Sequence, residues 1–292
     1  MFLIVLILSN LGYTFTFTAM GDTGKGNDGQ WEVSRALKQV CETRNCKFNL
    51  LLGDNIYQEG VTSVDDPQFY EKFEKQYGDI TMPFYVALGN HDYGELEDHW
   101  ERGGYEIAYA AKNPQWILPK EYYYFEMNEV LFIVLDTVLL KHNKKVKEQA
   151  AMVKEALTNS KAKWVIVAAH HPYLSNGKHG NAGKYEGLPF PYKVSGKYIK
   201  DFMDKNLCGK MDILFSGHDH NKQILPGTKK CDATFVVSGA GASATALKER
   251  NPFYVQSEEL GFILADVTND KISLEVINSL GNTTHTHVVK KH

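Results

Sequence analysis

The sequence lacks a run of basic residues. Its 32 Lys and Arg are balanced by 35 Asp and Glu, which leaves a formal net charge of −3. Proteins that bind nucleic acid or an acidic membrane through charge carry a basic patch or stripe, and none stands out in this sequence. We therefore expect no nucleic-acid partner.

Long hydrophobic runs are also absent. The amino-terminal run MFLIVLIL is too short to span a bilayer, although it has the length of a signal-peptide core. It has no basic n-region and no A-x-A cleavage site, so a buried first strand or an imperfect gene start is the alternative. We favour a signal peptide over residues 1–12, and the ending HVVKKH offers no apolar anchor. The expected product is a secreted, periplasmic or acidic vesicular protein with no membrane span in its mature chain.

Cysteine is scarce, and the four residues form no C-x-x-C pair, which argues against a zinc knuckle. An even number of cysteines in a secreted protein permits two disulfides. Proximity in the sequence favours Cys41 with Cys46 and Cys208 with Cys231. In a eukaryotic secretory pathway, Asn282-Thr283-Thr284 would also be a glycosylation site.

Neither a repeat nor a low-complexity linker divides the sequence, which predicts one domain over residues 13–292. Strand and helix patterns alternate up to residue 216, and residues 234–289 have mostly strand patterns. The prediction is an α/β domain with two sheets, the second closed by the C-terminal strands. Residues 99–125 show no regular pattern, and residues 175–196 are predicted as a long loop.

The glycine-rich turn AMGDTGKGN, residues 19–27, could cradle a phosphate or present a metal ligand. A P-loop needs a glycine five residues before its G-K-[ST] and a hydroxyl after the lysine. Here Ala19 is at the first position and Gly26 follows Lys25, which excludes a P-loop. Asp22 instead follows a predicted strand, at the end where α/β proteins bind ligands.

Five predicted strands end in residue types that bind metals. The motifs after them are GDTG, GDNIY, GNHD, HHP and GHDH, and four of the five place a glycine beside the ligand. Each motif alone has an ordinary structural explanation, but five together are not expected by chance. Imidazole with carboxylate suits zinc, iron or manganese rather than calcium. Two such ions activate a bound water and clamp the oxygens of an in-line displacement, which predicts phosphoester hydrolysis by a metal-bound hydroxide.

These motifs, in this order over residues 21–220, resemble the metal motifs of the calcineurin-like metallophosphoesterases. Within that superfamily they resemble the purple acid phosphatases, especially the tartrate-resistant type. Two details favour this branch: the first motif, Asp22-Thr23-Gly24, has no histidine, and Tyr57 follows Asp54 by three residues. The resemblance implies an α/β fold of two mixed β-sheets packed as a sandwich and flanked by helices.

The resemblance also implies the metals and their ligands. The ferric site would use Asp22, Tyr57 and His220, the divalent site (Fe, Zn or Mn) would use Asn90, His170 and His218, and Asp54 would bridge them. His91 would contact the phosphate, and His179 would be a candidate general acid. Asp92 and Asp219 are expected to orient ligand histidines, and His171 is interpreted as local structure.

The implied function is an acid phosphatase that hydrolyses phosphate monoesters. The alternatives are a phosphodiesterase or nucleotide hydrolase of the same superfamily, or a non-catalytic scaffold or receptor relative. The presence of all seven ligand types argues against the last. The loop lysines Lys25, Lys178 and Lys184 are interpreted as solvated, with attraction of phosphate near the site as the alternative. Five histidines outside the motifs are interpreted as surface residues: His99, His142, His285, His287 and His292.

Overall fold

The computed structural model describes residues 14–291, so the predicted signal peptide lies outside the described residues. The strands are β1 (Phe15–Met20), β2 (Cys46–Leu52), β3 (Phe84–Ala87), β4 (Trp116–Ile117), β5 (Tyr123–Met127), β6 (Val130–Val134), β7 (Trp164–Ala168), β8 (Ile213–Ser216), β9 (Lys222–Leu225), β10 (Thr234–Ser238), β11 (Val255–Ser257), β12 (Gly261–Val267), β13 (Lys271–Asn278) and β14 (Thr283–Lys290). The helices are α1 (Asp28–Arg44), α2 (Lys75–Tyr77), α3 (Trp100–Tyr109), α4 (Thr137–Lys141), α5 (Val146–Asn159), α6 (Tyr192–Ser195) and α7 (Lys197–Asn206).

The strands form two mixed seven-stranded sheets, as predicted. The first has the order β14-β13-β12-β1-β2-β3-β4, and the second has the order β11-β9-β10-β8-β7-β6-β5. Each sheet contains four adjacent parallel strands, β1-β2-β3-β4 on one side of the first sheet and β10-β8-β7-β6 in the middle of the second. Antiparallel strands extend both sheets. The loops of the candidate site follow strands of these two parallel blocks.

Aromatic side chains join the two sheets. The alternating residues of β1 direct Phe17 into the core, where its ring centroid lies 5.4 Å from that of Phe132 and 5.7 Å from that of Phe215, both in the second sheet. Phe48 of β2 packs on Phe132 at 5.2 Å. Such pairs contribute about 0.5–1.5 kcal/mol each beyond the burial of their area. The core therefore fixes how the two sheets face each other.

The C-terminal strands differ from the prediction. β12 pairs antiparallel with β1, with Ala19 opposite Ile263, and β13 and β14 continue outward. They therefore extend the first sheet instead of closing the second. The second sheet ends with β9 and β11, two short strands whose polar residues, such as Lys222 and Gln223, hide the strand pattern.

Helix α3 was not predicted, because its sequence, WERGGYEIAY, has no aliphatic residues at helical spacing on its buried face. Two glycines lower its intrinsic helix propensity, and its buried face consists of Gly103, Glu106 and Tyr109 instead of aliphatic residues. The glycine is needed for packing, since a Cβ at position 103 would lie 2.7 Å from the ring of Tyr93.

Both expected disulfides are present. Cys41–Cys46 joins the end of α1 to the start of β2, and Cys208–Cys231 joins the segment after α7 to the segment before β10. Among residues 14–291, no helix has the length and apolar character needed to cross a membrane.

Candidate metal centre

Five loops, which follow β1, β2, β3, β7 and β8, bring the seven predicted ligand side chains together at one end of the sandwich. Parallel strands of one sheet end on the same side, so loops far apart in the sequence meet there. The first sheet supplies Asp22, Asp54, Tyr57 and Asn90, and the second supplies His170, His218 and His220. The donor atoms form two groups.

The first group surrounds the hydroxyl of Tyr57. Its Oη lies 3.1 Å from Asp22 Oδ1, 2.9 Å from Asp54 Oδ2 and 3.1 Å from His220 Nε2. His220 Nε2 also lies 3.3 Å from Asp22 Oδ1. A phenol has one proton to donate, so it can satisfy only one of the two carboxylates. A cation shared by these atoms would resolve the crowding.

The second group surrounds Nε2 of His170. This atom lies 3.0 Å from Asn90 Oδ1, 3.1 Å from His218 Nδ1 and 3.4 Å from Asp54 Oδ1. The other ring nitrogen, Nδ1, donates to the carbonyl oxygen of Leu52 at 2.8 Å. A carbonyl only accepts, so the proton of the neutral ring is on Nδ1 and Nε2 presents a lone pair. That lone pair meets other acceptors, which again suits a cation.

Asp54 belongs to both groups. Its Oδ2 faces Tyr57, and its Oδ1 faces His170 and accepts from the backbone N–H of His91 at 2.9 Å. Asp54, His170 and His218 each place a ligand atom within 4.8 Å of the others. A carboxylate with one oxygen in each group has the arrangement needed to bridge two ions.

The spacing of the donor atoms fits metal coordination. Two atoms that each lie about 2.1 Å from one ion are roughly 3.0 Å apart at a right angle and roughly 3.4 Å apart at a tetrahedral angle. The contacts within the two groups run from 2.9 Å to 3.4 Å. Oxygen and imidazole donors suit iron, zinc or manganese. The residues therefore fit a pair of such ions, one in each group.

Three of these residues have left-handed backbone conformations, with φ of 58° at Asp22, 54° at Asp54 and 67° at His218. Such conformations cost a non-glycine residue roughly 1–3 kcal/mol and are concentrated at functional sites. Glycines provide the space for them. A Cβ at Gly217 would lie 2.5 Å from Asp22 Oδ2, and one at Gly89 would lie 2.3 Å from Asp54 Oδ1. The glycines beside the motifs are thus required for close approach.

Burial and charge set the protonation of the first group. Burial, and then the charges of Asp22 and Asp54, raise the pKa of Tyr57 well above its usual value. Burial also acts to raise the pKa of Asp22, but the hydrogen bond and charge of His220 outweigh it and lower that pKa. The surroundings therefore favour an ionised Asp22 beside a neutral phenol, and only an added positive charge would favour the phenolate.

Two further histidines border the groups. His91 Nδ1 lies 2.7 Å from the carbonyl oxygen of Gln58, and its ring centroid is 4.4 Å from that of Tyr57. His179 stacks on His218 with ring centroids 4.1 Å apart, and its Nδ1 contacts the carboxylate of Glu186. In both histidines an acceptor engages Nδ1, so Nε2 is the nitrogen that can meet a substrate.

Asp92 and Asp219 do not orient ligand histidines, and that expectation is wrong. Asp92 Oδ1 accepts from the backbone N–H groups of Asn55 and Ile56 at 2.8 and 3.0 Å. Asp219 Oδ1 accepts from the backbone N–H of His179 at 2.8 Å. Because backbone donors occupy them, the two carboxylates fix the loops that carry Asp54 and His179.

Two histidines that are not predicted ligands, His171 and His142, have structural partners. His171 is buried, and its Nδ1 lies 2.9 Å from Thr137 Oγ1, as expected for local structure. His142 was expected at the surface, but its side chain is only 9% exposed. That expectation is wrong because His142 Nε2 pairs with Glu97 at 2.6 Å.

Three residues of the site escaped the sequence analysis. Lys25, expected to be solvated, donates from Nζ to Ser243 Oγ at 2.8 Å, and Ser243 Oγ lies 2.8 Å from His220 Nδ1. Exposed Lys178 does match the expectation. No local pattern could reveal Ser243, which is 218 residues from Lys25. Glu186, whose carboxylate contacts His179, lies seven residues after it. Only this nearness in the sequence could have suggested the contact.

Comparison with known proteins agrees with this geometry. Residues 15–222 match the family model of the calcineurin-like phosphoesterases. Purple acid phosphatase 4 of Arabidopsis thaliana is 26% identical over 93% of this chain and 82% of its own. Tartrate-resistant acid phosphatase type 5 of Sus scrofa is 26% identical over 91% of this chain and 84% of its own.

Among solved structures, that of GAP50, titled the anchor in the inner membrane complex of Plasmodium, superposes with a TM-score of 0.76 at 21% identity. The match covers 96% of this chain and 89% of that one, and it concerns the fold alone. The family model covers more than half of the chain and includes every loop that supplies a predicted ligand. The chain therefore belongs to the calcineurin-like phosphoesterase family, in which it is similar to the purple acid phosphatases of plants and mammals.

Proposed function

We propose that the protein is an acid phosphatase that hydrolyses phosphate monoesters at a dinuclear centre. The first group, Asp22, Tyr57 and His220, would hold Fe(III). The second group, Asn90, His170 and His218, would hold a divalent ion (Fe, Zn or Mn), and Asp54 would bridge the two. The observation that carries the proposal is the position of Asp54, with one carboxylate oxygen in each donor group.

The donor types support different ions in the two groups. Asp22, Asp54 and Tyr57 would supply three anionic oxygens to the first group, which suits a trivalent ion. Asn90 and two imidazoles are neutral donors, which suits a divalent ion. When bound, the two ions would supply an activated water and neutralise charge on the phosphoryl oxygens.

His91 would bind the phosphoryl group of the substrate. Its Nδ1 donates to Gln58 O, so only the imidazolium form has a second proton, on Nε2, to donate to a phosphate oxygen. The backbone N–H of His91 holds Asp54 Oδ1, so phosphate binding and the bridge are positioned by one residue.

His179 would protonate the leaving oxygen of the ester. The carboxylate of Glu186 contacts its Nδ1, and Asp219 holds its backbone. With Nδ1 anchored, the imidazolium would release its proton from Nε2 to the developing alkoxide. The side chain is 26% exposed, which leaves it open to a leaving group of variable size.

Metal analysis, a visible spectrum and a substrate panel on purified full-length protein test the proposal together. We expect one iron and one divalent ion per chain, a tyrosinate-to-iron absorption band, and aryl phosphate hydrolysis with an acidic optimum. Tyr57→Phe should remove the band, whereas Tyr70→Phe, which changes a tyrosine that is 53% exposed, should leave it. Iron-loaded protein that is colourless and inert toward aryl phosphates would refute the proposal.

The same experiment separates the alternatives. In the substrate panel, faster turnover of the diester bis(nitrophenyl) phosphate than of the monoester nitrophenyl phosphate would indicate a phosphodiesterase. A non-catalytic scaffold is the second candidate, because glideosome-associated protein 50 of Plasmodium falciparum is 25% identical over 93% of this chain. A chain that binds no metal would favour it. The two disulfides support passage through an oxidising secretory compartment, as in the proposed location.

A further inference from the structure

Lys25 lies beside the first donor group, with one contact to the ring of Tyr57 and one to Ser243, which contacts His220. Its Nζ donates to Ser243 Oγ at 2.8 Å, and it also lies 4.9 Å from the ring centroid of Tyr57. Within residues 14–291, Lys25 takes part in no ion pair; its partners are a neutral hydroxyl and an aromatic face. Water screens the charge of a partly buried ammonium group less, and no carboxylate neutralises it here. Its positive charge therefore acts more strongly on Ser243 and on the ring of Tyr57.

Ser243 connects this charge to His220. Nε2 of His220 faces Tyr57 and Asp22. If the neutral ring binds a metal through Nε2, its proton is on Nδ1. Nδ1–H then donates to Ser243 Oγ at 2.8 Å. Ser243 Oγ therefore accepts from both Lys25 and His220, and the positive charge makes it a weaker acceptor. His220 becomes a less electron-rich ligand as a result.

The second contact acts in the same direction. A cation over the face of an aromatic ring attracts its electron density, and more strongly when the ring belongs to a phenolate. Lys25 thus draws electron density from two of the three side chains that belong only to the first group. Both effects destabilise a trivalent ion relative to a divalent one.

We propose that Lys25 is a positioning residue that, through Ser243 and the ring of Tyr57, raises the reduction potential of the iron in the first group. The proposal rests on the metal centre proposed above. Lys25 would not touch the substrate, and its role would be to keep Fe(III) reducible in a site with three anionic ligands. The second group has no equivalent lysine contact among the described residues.

A redox titration of the iron-loaded full-length chain, followed by the visible band, tests this. At the solution potential that half-reduces the wild type, Lys25→Met should lower the Fe(II)/Fe(III) ratio on the order of tenfold, because a unit charge 4.9 Å from the ring centroid of Tyr57 is lost. Lys25→Arg should remain close to the wild type. Ser243→Ala keeps the ammonium but removes the bridge, and should give a smaller fall.

Lys144→Met is the matched control, since Lys144 Nζ also lies 4.9 Å from an aromatic centroid, that of Trp100. It should leave the ratio unchanged. If Lys25→Met does not retain iron, Lys25→Gln is titrated instead, with the same expected direction. A wild-type ratio in the neutral variants, or an equal fall in Lys144→Met, overturns the proposal for Lys25 alone. A wild type without the band overturns the metal centre and this proposal with it.

Discussion

The two donor groups of the candidate centre occupy equivalent positions in the fold but differ in charge. Each is built at the ends of parallel strands, and both use one oxygen of Asp54. The first group adds a carboxylate, a phenol and an imidazole, whereas the second adds an amide and two imidazoles. The comparison indicates that the loops, and not the sheets, decide which ion each group would prefer.

The groups also differ in their access to solvent and to other charges. In the second group, His170 is fully buried and its Nδ1 is fixed by the backbone of Leu52. In the first group, the side chain of His220 is 19% exposed and is fixed by Ser243, a side chain that also binds Lys25. A ligand held by backbone is rigid, while one held by a side chain can be adjusted by substitution elsewhere. The properties of the ion in the first group should therefore be the easier ones to change by substitution outside the group.

The largest expected effect comes from removing what the groups share. Asp54→Ala deletes a donor from both, so we expect loss of both metals and a fall in activity of at least about a thousandfold. Metal analysis and phosphatase assays measure this. Asp79→Ala, at a side chain that is 90% exposed, is the control. Full retention of one ion in Asp54→Ala would show that the groups do not depend on a common bridge.

Substitutions that remove a donor from only one group should have a smaller effect on activity and should release only one of the two ions. His220→Ala removes a donor from the first group only, so iron and the visible band should be lost together. His218→Ala removes a donor from the second group only, so the divalent ion should be lost while the band persists. Each variant should lose roughly a hundredfold or more in activity. Equal loss of both ions from both variants would mean that the centre forms as one unit.

The sequence predicts every donor of both groups, because each lies in a loop after a strand and, in most cases, beside a glycine. Gly217 and Gly89 are required by the close approach of Asp22 and Asp54. The site can therefore be recognised in the sequence by a glycine beside a donor residue. Ser243 leaves none: it lies in an irregular segment, and its contact with Lys25 depends on how distant parts of the chain meet. The same limit applies to β12, since its partner β1 lies at the opposite end of the sequence.

Leaving-group dependence gives the next effect in size. His179→Ala should slow alkyl phosphates by roughly a hundredfold, because their leaving alkoxide needs a proton, and should slow nitrophenyl phosphate much less. The ratio of kcat/KM for the two substrates is the measurement. Glu186→Gln should reproduce the pattern more weakly, since it loosens the contact with Nδ1 of His179. Equal slowing of both substrates would assign His179 to substrate binding instead.

The smallest expected effect concerns the loop that follows Asn90. Burial acts to raise the pKa of Glu97, but His142 and Lys141 outweigh it and lower the pKa to about 2. The folded pKa is below the ordinary value of 4.5, so this carboxylate stabilises the fold above that pH and ceases to as the pH falls toward 2. Glu97→Gln should therefore cost about 2 kcal/mol of unfolding free energy at neutral pH.

Urea unfolding of Glu97→Gln and the wild type across this pH range measures the difference, which should shrink as the solution becomes acidic. Glu59→Gln is the matched control, because its pair with Arg102 involves a carboxylate that is 56% exposed, and exposed pairs contribute little. A constant difference between Glu97→Gln and the wild type at every pH would mean that packing, and not charge, holds this loop. The second donor group would then owe its rigidity to packing of the loop that carries Asn90 as well as to the backbone contact of His170.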